Sequence, residues 1–483
     1  MIKKFFKKLF FSSLSLIILN SSLIAISNEY YDTDVIIAGA GLSGLTSAYK
    51  LNKKGIKFKI FEISDRVGGR SRTAKYDNGM KVEAGLAEFW ESNPAIELIK
   101  ELNLPTEEGQ GFSSCFINNT LYKYTQNSNE EFLKSIFNKN EFNSFLKWDR
   151  EVKILLEKLK NRKPDKNMMK LKDISFADWV TKKHKLPKKV SEWIRVTIEV
   201  EIGTSWENIS ALDGIDEWHI FNNGGEKEYH IVNGNETLAQ ELAKRVGLEN
   251  IYIKHQVVRF KNIKDAVEVE VMNNENFEHK TYRAKYAIST IPLFRLAEVQ
   301  FEPQLPKKKY DAIKTQSWGS YFTAHVFFAP DTKKYWIDDK GQNILPILSD
   351  SPLGVIYSAD RKDDKSPYIV NLLITGEYAE KFNYRGLLFD EIRNELNLAF
   401  EKIWKGSSKK IIKYEFFRYH PRAIAAWPVG RSRFDELSED LRKPFGRIYF
   451  AGDFTESSHS DGAIRSALRV VNDILKKEKK NEN

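Results

Sequence analysis

A short apolar run that leads directly into a glycine-rich turn is the first organised feature after residue 30. Residues 34–38 (DVIIA) are almost entirely apolar, which is typical of a strand buried on both faces of a parallel sheet. The turn at residues 39–44 (GAGLSG) follows, and residues 45–52 then have helical character. A second strand-like run at 58–62 (FKIFE) completes a predicted strand–helix–strand unit.

The glycines of this turn, Gly39, Gly41 and Gly44, have the GxGxxG spacing of a dinucleotide-binding site. In such a turn the first glycine allows the tight bend, the second lets a pyrophosphate approach the backbone, and the third lets the helix pack closely on the strand. The phosphate then lies at the helix N-terminus, next to Ser43. Glu62 follows Gly44 by 18 residues, close to the spacing at which a carboxylate binds the adenosine ribose. By itself this unit is compatible with NAD or FAD.

Two later blocks have patterns that differ from this unit. Residues 94–226 are rich in lysine and compatible with helices, and their interleaved tryptophans are typical of helix faces packed on a core. Residues 298–419 contain alternating strand-like runs such as 321–328 and 368–375. We therefore expect a second domain with a mixed α+β content.

Composition indicates a soluble globular body of 483 residues, with 41 % hydrophobic and 29 % charged residues. The net charge of +10 is concentrated at the two ends, because the lysines before residue 9 contribute +4 and the tail after residue 475 contributes +2. The remaining +4 argues against nucleic-acid binding as the function. A single cysteine and the lack of an HxxxH pair argue against disulfides and a metal centre.

The N-terminus has the order of an export signal. A basic start is followed by an apolar run from Leu9 to Leu19 and by small residues that end at Ser27. We expect residues 1–27 to be a signal peptide, which places the mature protein in the periplasm or outside the cell. The alternative is an uncleaved N-terminal anchor that associates the protein with a membrane, although Asn20 interrupts a stretch shorter than the ~20 residues of a spanning helix.

Residues 65–73 (DRVGGRSRT), which include Gly69 and Arg70, distinguish between the two dinucleotides. They resemble the RxGGRxxT motif of the FAD-dependent amine oxidase superfamily, which also includes phytoene desaturases and protoporphyrinogen oxidases. Residues 447–455 (RIYFAGDFT) and 461–463 (DGA) are similar to the C-terminal FAD motif of that superfamily. The resemblance implies an α/β fold, with a Rossmann-like FAD-binding domain built from residues 28–93, 227–297 and 420–477. It also implies a substrate domain from 94–226 and 298–419, followed by a basic tail at 478–483.

The same resemblance implies the cofactor contacts. FAD would be held non-covalently, because no cysteine lies near the flavin motif. Besides the residues of the first turn, the implied cofactor-binding residues are Glu62, Gly69, Arg70, Val257 (with Val258 as its near-equivalent), Gly452, Asp453, Gly462 and Ala463.

The implied activity is the oxidation of a small amine or amino acid, with O₂ or another electron acceptor. Trp427 lies where the superfamily often has an aromatic residue beside the flavin, and Thr323 occupies the position of its usual lysine. His325 falls on the same strand face as Thr323 and is either a replacement for that lysine or a core histidine. His459 or Ser460 replaces a tyrosine of monoamine oxidases. Arg422 and Arg431 are candidates for binding a substrate carboxylate.

Two other functions remain open from the sequence. A desaturase or dehydrogenase of an apolar carbon skeleton would explain the missing lysine and predicts a long apolar tunnel. A flavin-fold protein without turnover is the third alternative, although the intact dinucleotide motifs argue against it.

Overall fold

The computed structural model describes residues 31–482, except 110, 112, 127, 225, 385 and 419. The predicted signal peptide, residues 1–27, lies outside the described residues. The helices are α1 (Leu42–Asn52), α2 (Ala95–Glu101), α3 (Asn129–Ile136), α4 (Lys139–Leu159), α5 (Lys166–Met169), α6 (Phe176–Asp178), α7 (Lys188–Ile202), α8 (Ala211–Glu217), α9 (Glu236–Val246), α10 (Leu293–Leu296), α11 (Lys307–Lys314), α12 (Gly376–Asn383), α13 (Phe389–Ile403), α14 (Glu436–Arg442) and α15 (Ser460–Glu482). Short 3₁₀ turns lie at Lys170–Asp173, Trp218–Gly224, Leu248–Asn250, Ser408–Lys410 and Asp453–Thr455, and a π-helical turn lies at Trp179–Lys183.

The strands are β1 (Thr33–Ala38), β2 (Phe58–Phe61), β3 (Thr73–Lys75), β4 (Lys81–Glu83), β5 (Phe89–Trp90), β6 (Thr106–Gly109), β7 (Ser114–Ile117), β8 (Thr120–Tyr122), β9 (Glu228–Ile231), β10 (Ile251–Tyr252), β11 (His255–Asn262), β12 (Val267–Asn273), β13 (His279–Ser289), β14 (Gln300–Glu302), β15 (Ser317–Gly319), β16 (Tyr321–Phe328), β17 (Ile347–Ser349), β18 (Val355–Asp360), β19 (Tyr368–Thr375), β20 (Ile411–Phe417), β21 (Ile424–Ala426) and β22 (Ile448–Phe450). No helix among the described residues is long and apolar enough to cross a membrane.

The first large sheet contains the predicted strand–helix–strand unit. Its order is β10-β2-β1-β13-β12-β11-β14, and β22 pairs with the end of β13. Strand β1 runs parallel to both β2 and β13 and is buried on both faces, as its apolar run predicts. Helices α1, α9 and α15 contribute Leu45, Leu242 and Ile464 to the core against this sheet. The predicted Rossmann-like α/β fold, assembled from separate segments, is confirmed.

Elements of the first sheet continue past residue 297, where the sequence placed a domain boundary. Strand β14 pairs in parallel with β11. Helix α11 is tied to the end of α14, because the buried Lys309 donates a hydrogen bond to the Lys443 carbonyl (2.7 Å). At the other end, α15 extends through residues 478–482, which the sequence placed in a tail.

The second sheet has the order β20-β16-β19-β18-β17-β7-β8 and is mixed, since β17 pairs with β7 in parallel while β16 and β19 pair antiparallel. Helices α3 to α8 form a separate layer around Trp148, Trp179 and Trp218, each at most 1 % exposed. The interleaved aromatic residues of 94–226 are therefore core residues, as predicted. A cavity of about 1050 Å³ lies between the two sheets and this helical layer.

Candidate active site

The glycine-rich turn forms one end of this cavity, which Gly39, Gly41 and Ser43 line. Gly39 has a φ of +107°, a conformation that favours glycine. A side chain added at Gly41 would meet no protein atom within 4 Å, so the backbone is open to a ligand there. No side chain caps the N-terminus of α1, which leaves its first N–H groups available to a phosphate.

Two of the predicted glycines, Gly44 and Gly462, do not line the cavity but lie behind its wall. A Cβ at Gly44 would collide with the Gly39 carbonyl, and one at Gly462 would collide with the Ser457 carbonyl. These glycines therefore permit the close approach of α1 and α15 to the turns beside them. The two motifs are also joined directly, because the Ser466 hydroxyl lies 3.2 Å from that of Ser43 and accepts a hydrogen bond from the Gly452 N–H (2.8 Å).

Glu62 lines the cavity beyond the turn, at the end of β2. Its carboxylate accepts hydrogen bonds from the Ala40 N–H (2.7 Å), the Ser64 N–H (2.9 Å) and the Ser64 hydroxyl (2.7 Å). These contacts fix the carboxylate at the cavity edge, near Val257. The two residues therefore share one edge of the cavity, and the contacts of Glu62 with a ribose and of Val257 with an adenine stay predictions.

Arg70 and Asp453 connect the two halves of the nucleotide site. Both guanidinium Nη atoms of Arg70 donate to the Asp453 carboxylate at 2.7 Å, and Arg70 also donates to the Ala423 carbonyl. Gly69, Arg70, Gly452 and Ala463 line the cavity, whereas Asp453 is 1 % exposed and does not. The Asp453 carboxylate therefore orients Arg70, and the predicted contact of Asp453 with FAD stays a prediction.

A row of acidic side chains lines the opposite part of the cavity. Glu88 precedes β5, Glu201 lies in the last turn of α7, and Glu217 ends α8. Burial raises the pKa of Glu88 to about 8, that of Glu201 to about 8 and that of Glu217 to about 7. Glu201 is close enough to both other carboxyl groups to raise their pKa further.

His459 bridges the last two acids of the row. Its Nε2 lies 3.1 Å from the Glu201 carbonyl and 3.4 Å from Glu201 Oε1, and its Nδ1 lies 3.6 Å from Glu217 Oε2. Glu201, Glu217 and His459 have ligand atoms within 4.8 Å of one another. We assign no metal to them, because the two carboxylates face opposite nitrogens of the imidazole ring, and a metal ligand presents one nitrogen to the ion.

Two tyrosines lie in the same part of the cavity. The Tyr321 hydroxyl donates to the Glu201 carbonyl (2.6 Å), and the Tyr357 hydroxyl lies 3.5 Å from Glu88 Oε1. Gly203 makes the first contact possible, since it ends α7 at a φ of +63° and a Cβ there would lie 2.7 Å from the Tyr321 ring. The wall opposite the glycine-rich turn is therefore acidic and aromatic.

A comparison with protein families settles the class of this protein. The family model described as flavin containing amine oxidoreductase matches residues 42–475. The chain belongs to this family. It is an FAD-dependent amine oxidase, and the glycine turn, Glu62 and the Arg70–Asp453 pair form a site that fits the dinucleotide.

Relatives of this amine oxidase match more than nine-tenths of the chain. The flavin-containing amine oxidase A of Sus scrofa is 23 % identical over 478 residues, which cover 93 % of this chain and 86 % of the relative. L-amino acid oxidase Bs29 of Bothriechis schlegelii is 25 % identical, with 95 % and 92 % covered. Among solved structures, a cyclohexylamine oxidase from Brevibacterium oxydans has a TM-score of 0.75 at 17 % identity, with 93 % of this chain and all of that chain covered. A putrescine oxidase bound to putrescine has a TM-score of 0.76 at 20 % identity, with 92 % and 99 % covered.

The structure does not place Trp427 on the cavity wall of the oxidase. Trp427 is 2 % exposed and packs in the core behind the first sheet, where its Nε1 donates to Ser438 Oγ (3.2 Å). Ala423 and Ile424 line the cavity instead. Strand β21 pairs with β15 directly before Trp427, with Gly319 opposite Ile424 and Ser317 opposite Ala426.

Thr323 and His325 also lie behind the wall, in the centre of β16. Thr323 Oγ1 contacts the Ala84 carbonyl (3.4 Å) beside a small void. His325 is fully buried, with Nε2 2.9 Å from the Glu83 carbonyl and Nδ1 2.5 Å from the Tyr76 hydroxyl. Burial lowers the pKa of His325 to about 4, so it is neutral. The structure therefore favours the core-histidine interpretation over a catalytic one.

The arginine candidates for a substrate carboxylate have other partners. Arg431 is buried in an ion pair with Asp435 (2.6 Å) away from the cavity. Arg422 lines the cavity, with its guanidinium over the Phe294 ring at 5.2 Å.

The acidic row is the part of the site that the sequence prediction missed. The spacing of apolar residues in α7 could have indicated Glu201. This helix buries Val190, Ile194, Thr197 and Ile198, and Glu201 continues their spacing of three and four residues. A glutamate on the apolar face of a helix is a candidate for a buried functional carboxylate.

Proposed function

We propose that this enzyme oxidises a small amine that carries a second cationic group. The row of Glu88, Glu201 and Glu217 carries this proposal. Removing several carboxylates from water is costly unless positive charge accompanies them. One ammonium between Glu201 and Glu217, and the other beside Glu88, would supply that charge, and the rings of Tyr321 and Tyr357 would flank the carbon chain.

Oxidation would transfer a hydride from the α-carbon of the amine to N5 of the flavin. The imine product would be hydrolysed by water, and O₂ or another acceptor would reoxidise the cofactor. In this reaction FAD supplies the redox chemistry, and the protein supplies binding, orientation and charge.

The charges of the cavity favour an amine over an amino acid. An ammonium at the acidic row would stabilise the ionised form of these glutamates, whereas a substrate carboxylate would meet no cationic partner there, which is unfavourable in a buried site. Arg70 is occupied by Asp453, and Arg433, beside Glu217 (3.6 Å), also forms an ion pair with Asp216. The acidic wall also disfavours the apolar carbon skeleton of a desaturase substrate, which requires an apolar tunnel.

Four compounds with unbranched chains of four or five carbons test this proposal. Holoenzyme without O₂ is mixed with 1,4-diaminobutane, butylamine, 4-aminobutanoate or L-norvaline, and loss of the visible flavin band is followed. We expect the diamine to reduce the flavin fastest, butylamine more slowly, and the two carboxylates least. Faster reduction by norvaline would indicate an amino acid oxidase. No reduction by any of the four would favour the desaturase alternative.

Two further expectations remain proposals. We propose that FAD is held non-covalently, since the one cysteine of the sequence, Cys115, is buried in β7 of the second sheet. Acid precipitation should release all of the flavin into solution. We also propose export through the signal at residues 1–27, and N-terminal sequencing of the mature protein would test cleavage after Ser27.

A further inference from the structure

An exposed residue lines the cavity next to the acidic row. Ser92 lies in the turn after β5, four residues beyond Glu88, and it is exposed to solvent although it also lines the cavity. Other exposed residues of the wall, such as Asp65 and Arg422, belong to the segments whose motifs fit FAD. The cavity therefore reaches the surface at Ser92 on the side of the acidic row.

Three segments form the wall between this opening and the acidic row. They are the turn after β5, the turn after α8 and the start of α15, which contribute Trp90, Asn93, His219, Ser460 and Asp461. Asn93 Nδ2 donates a hydrogen bond to Ser460 Oγ (2.8 Å) and joins the first segment to the third. After burial itself, the charge of Asp461 is the next cause of the raised pKa of Glu201, and it also contributes to that of Glu217. The opening and the acidic row are thus parts of one continuous cavity.

Asp461 gives this passage a negative charge at neutral pH. Burial raises the pKa of its carboxyl group, but the hydrogen bond from Ser457 (2.7 Å) and the nearby His459 lower it more, so the pKa lies below its ordinary value. The neighbouring His219 is neutral, because burial lowers its pKa. An ammonium that enters at Ser92 therefore meets an ionised carboxylate before it reaches the acidic row.

Arg465 spans the opening on its outer side. Its Nη2 donates a hydrogen bond to the Ser92 carbonyl (3.1 Å), and its Nε donates to the Asp461 carboxylate (3.4 Å). The side chain of Arg465 is 51 % exposed and does not line the cavity, so its guanidinium can move into solvent. An incoming ammonium can replace the guanidinium, and this exchange of cations leaves the Asp461 carboxylate paired.

The surface around the opening also favours cations. The Ser92 N–H donates to the Glu226 carboxylate (2.9 Å), and Glu91 is exposed directly before Ser92 in the chain. Trp90 adds an aromatic ring to the wall, and aromatic rings attract cations. Acidic residues at the mouth of a cavity raise the local concentration of cationic ligands.

We propose that the amine reaches the acidic row through the opening at Ser92, and that its ammonium group replaces the Arg465 guanidinium on Asp461 as it enters. This entry route rests on the proposed function, because it concerns a cationic substrate. Asp461 is a binding residue of the route, and Arg465 is a positioning residue that keeps Asp461 paired when no amine is present.

A thiol placed at the opening tests the route. The one cysteine of the sequence, Cys115, is buried, and burial raises the pKa of its thiol to about 12, so it does not react at neutral pH. The holoenzyme variants are Ser92→Cys and, as the control at an exposed wall residue of the nucleotide side, Asp65→Cys. Each is labelled with methyl or benzyl methanethiosulfonate, and circular dichroism and flavin content check that it stays folded and loaded.

The benzyl label at Ser92→Cys should lower the second-order rate constant of anaerobic flavin reduction by 1,4-diaminobutane about tenfold or more. The rate at saturating amine should not change, because the label narrows the passage and not the acidic row. The methyl label at Ser92→Cys, and the benzyl label at Asp65→Cys, should change the constant by less than about twofold. Equal effects of the benzyl label at the two positions, or an equal loss of the saturating rate, would overturn the route.

The role of Arg465 is tested without the label. Arg465→Ala should raise the second-order rate constant about two- to fivefold at low salt, and this gain should disappear at high salt. Arg245→Ala is the matched control, because Arg245 is a similarly exposed arginine, 54 % against 51 %, and is also paired with a carboxylate four residues before it. Equal rate constants in the two variants would overturn the exchange of cations on Asp461.

The charge at the opening has a readout that does not depend on turnover. The Ser92→Cys thiol is labelled with cationic trimethylammonioethyl or anionic sulfonatoethyl methanethiosulfonate, and both rates are divided by those for free 2-mercaptoethanol. The cationic reagent should be favoured, and more so when Arg465→Ala is added. A preference for the anionic reagent would overturn the route.

The outcomes separate this inference from the proposed function. If 1,4-diaminobutane does not reduce the flavin of wild type, the proposed substrate class fails, and the labelled variants are compared with whichever other amine does reduce it. A loss of rate confined to the benzyl label at Ser92→Cys would then still support the route. If no amine reduces the flavin, the proposed function fails, and the ratio of the two labelling rates decides whether the opening admits cations.

Discussion

Glu62 illustrates how one side chain serves both the fold and the cofactor. It fixes the Ala40 N–H and Ser64 while its carboxylate stays at the cavity edge. We expect Glu62→Ala to weaken FAD binding by about 10- to 100-fold, because hydrogen bonds to a charged group contribute about 1.5–3 kcal/mol. Flavin fluorescence titration of the flavin-free protein measures this. Asp65→Ala, on the same cavity edge, is the control, and equal affinities in all three proteins would exclude the role of Glu62.

Trp427 has a structural role in this account. Its ring is buried in the core and its Nε1 donates to Ser438. We therefore expect Trp427→Phe to lower the free energy of unfolding by about 1–3 kcal/mol and to leave flavin reduction within about twofold of wild type. Urea unfolding and anaerobic stopped-flow kinetics test the two halves of this expectation. Slower reduction at unchanged stability would return Trp427 to the flavin site.

The C-terminal end of α7 connects backbone conformation to the acidic row. Gly203 has a φ of +63° and contacts Tyr321, which in turn donates to the Glu201 carbonyl. We expect Gly203→Ala to destabilise the protein and also to weaken amine binding, since the added Cβ displaces Tyr321. Gly55→Ala is a matched control, because Gly55 has a φ of +72° and no atom near its absent Cβ.

Gly55→Ala should lower the free energy of unfolding by about 1–2 kcal/mol, because alanine is strained at a positive φ. Its affinity for the amine should not change. Concentration dependence of flavin reduction gives that affinity. An equal effect of Gly203→Ala and Gly55→Ala on amine affinity would show that Gly203 does not position Tyr321 for amine binding.

Elements formed by neighbouring residues could be predicted from the sequence. Strand β1, the glycine turn, α1 and Glu62 follow from local patterns, because a buried parallel strand and a helix N-terminus impose their requirements within about 30 residues. The acidic row could not be predicted in this way. Glu88, the Glu201–Glu217 region and His459 come from three distant segments, and the packing of the helical layer against both sheets brings them together. The burial of Trp427 could not be predicted either, because a motif position does not specify which way a side chain turns after β21.

The cavity as a whole makes stability depend on pH. The acidic row has pKa values of about 7 to 8, against 4.5 for ordinary glutamate. The folded protein therefore binds more protons than the unfolded chain between about pH 5 and 8, and the contribution of these groups to stability falls as pH rises through that window. Neighbouring Asp461 titrates below it, because the hydrogen bond from Ser457 and the nearby His459 lower its pKa despite burial.

We expect Glu201→Gln to reduce this decline by up to about 1.4 kcal/mol per pH unit. Urea unfolding of the holoenzyme at several pH values, with Glu192→Gln on the outer face of α7 as the control, measures the difference. Curves that stay parallel for wild type and Glu201→Gln would show that Glu201 is not protonated at neutral pH.

The most direct test of the central claim is the selectivity between two amines. The second-order rate constant for flavin reduction by 1,4-diaminobutane is divided by that for butylamine, in wild type and in Glu201→Gln. We expect a ratio of about ten or more in wild type, equivalent to about 1.4 kcal/mol, and a fall towards one in the variant. A ratio near one in wild type, or one that Glu201→Gln leaves unchanged, would contradict a cavity built to bind a second cation.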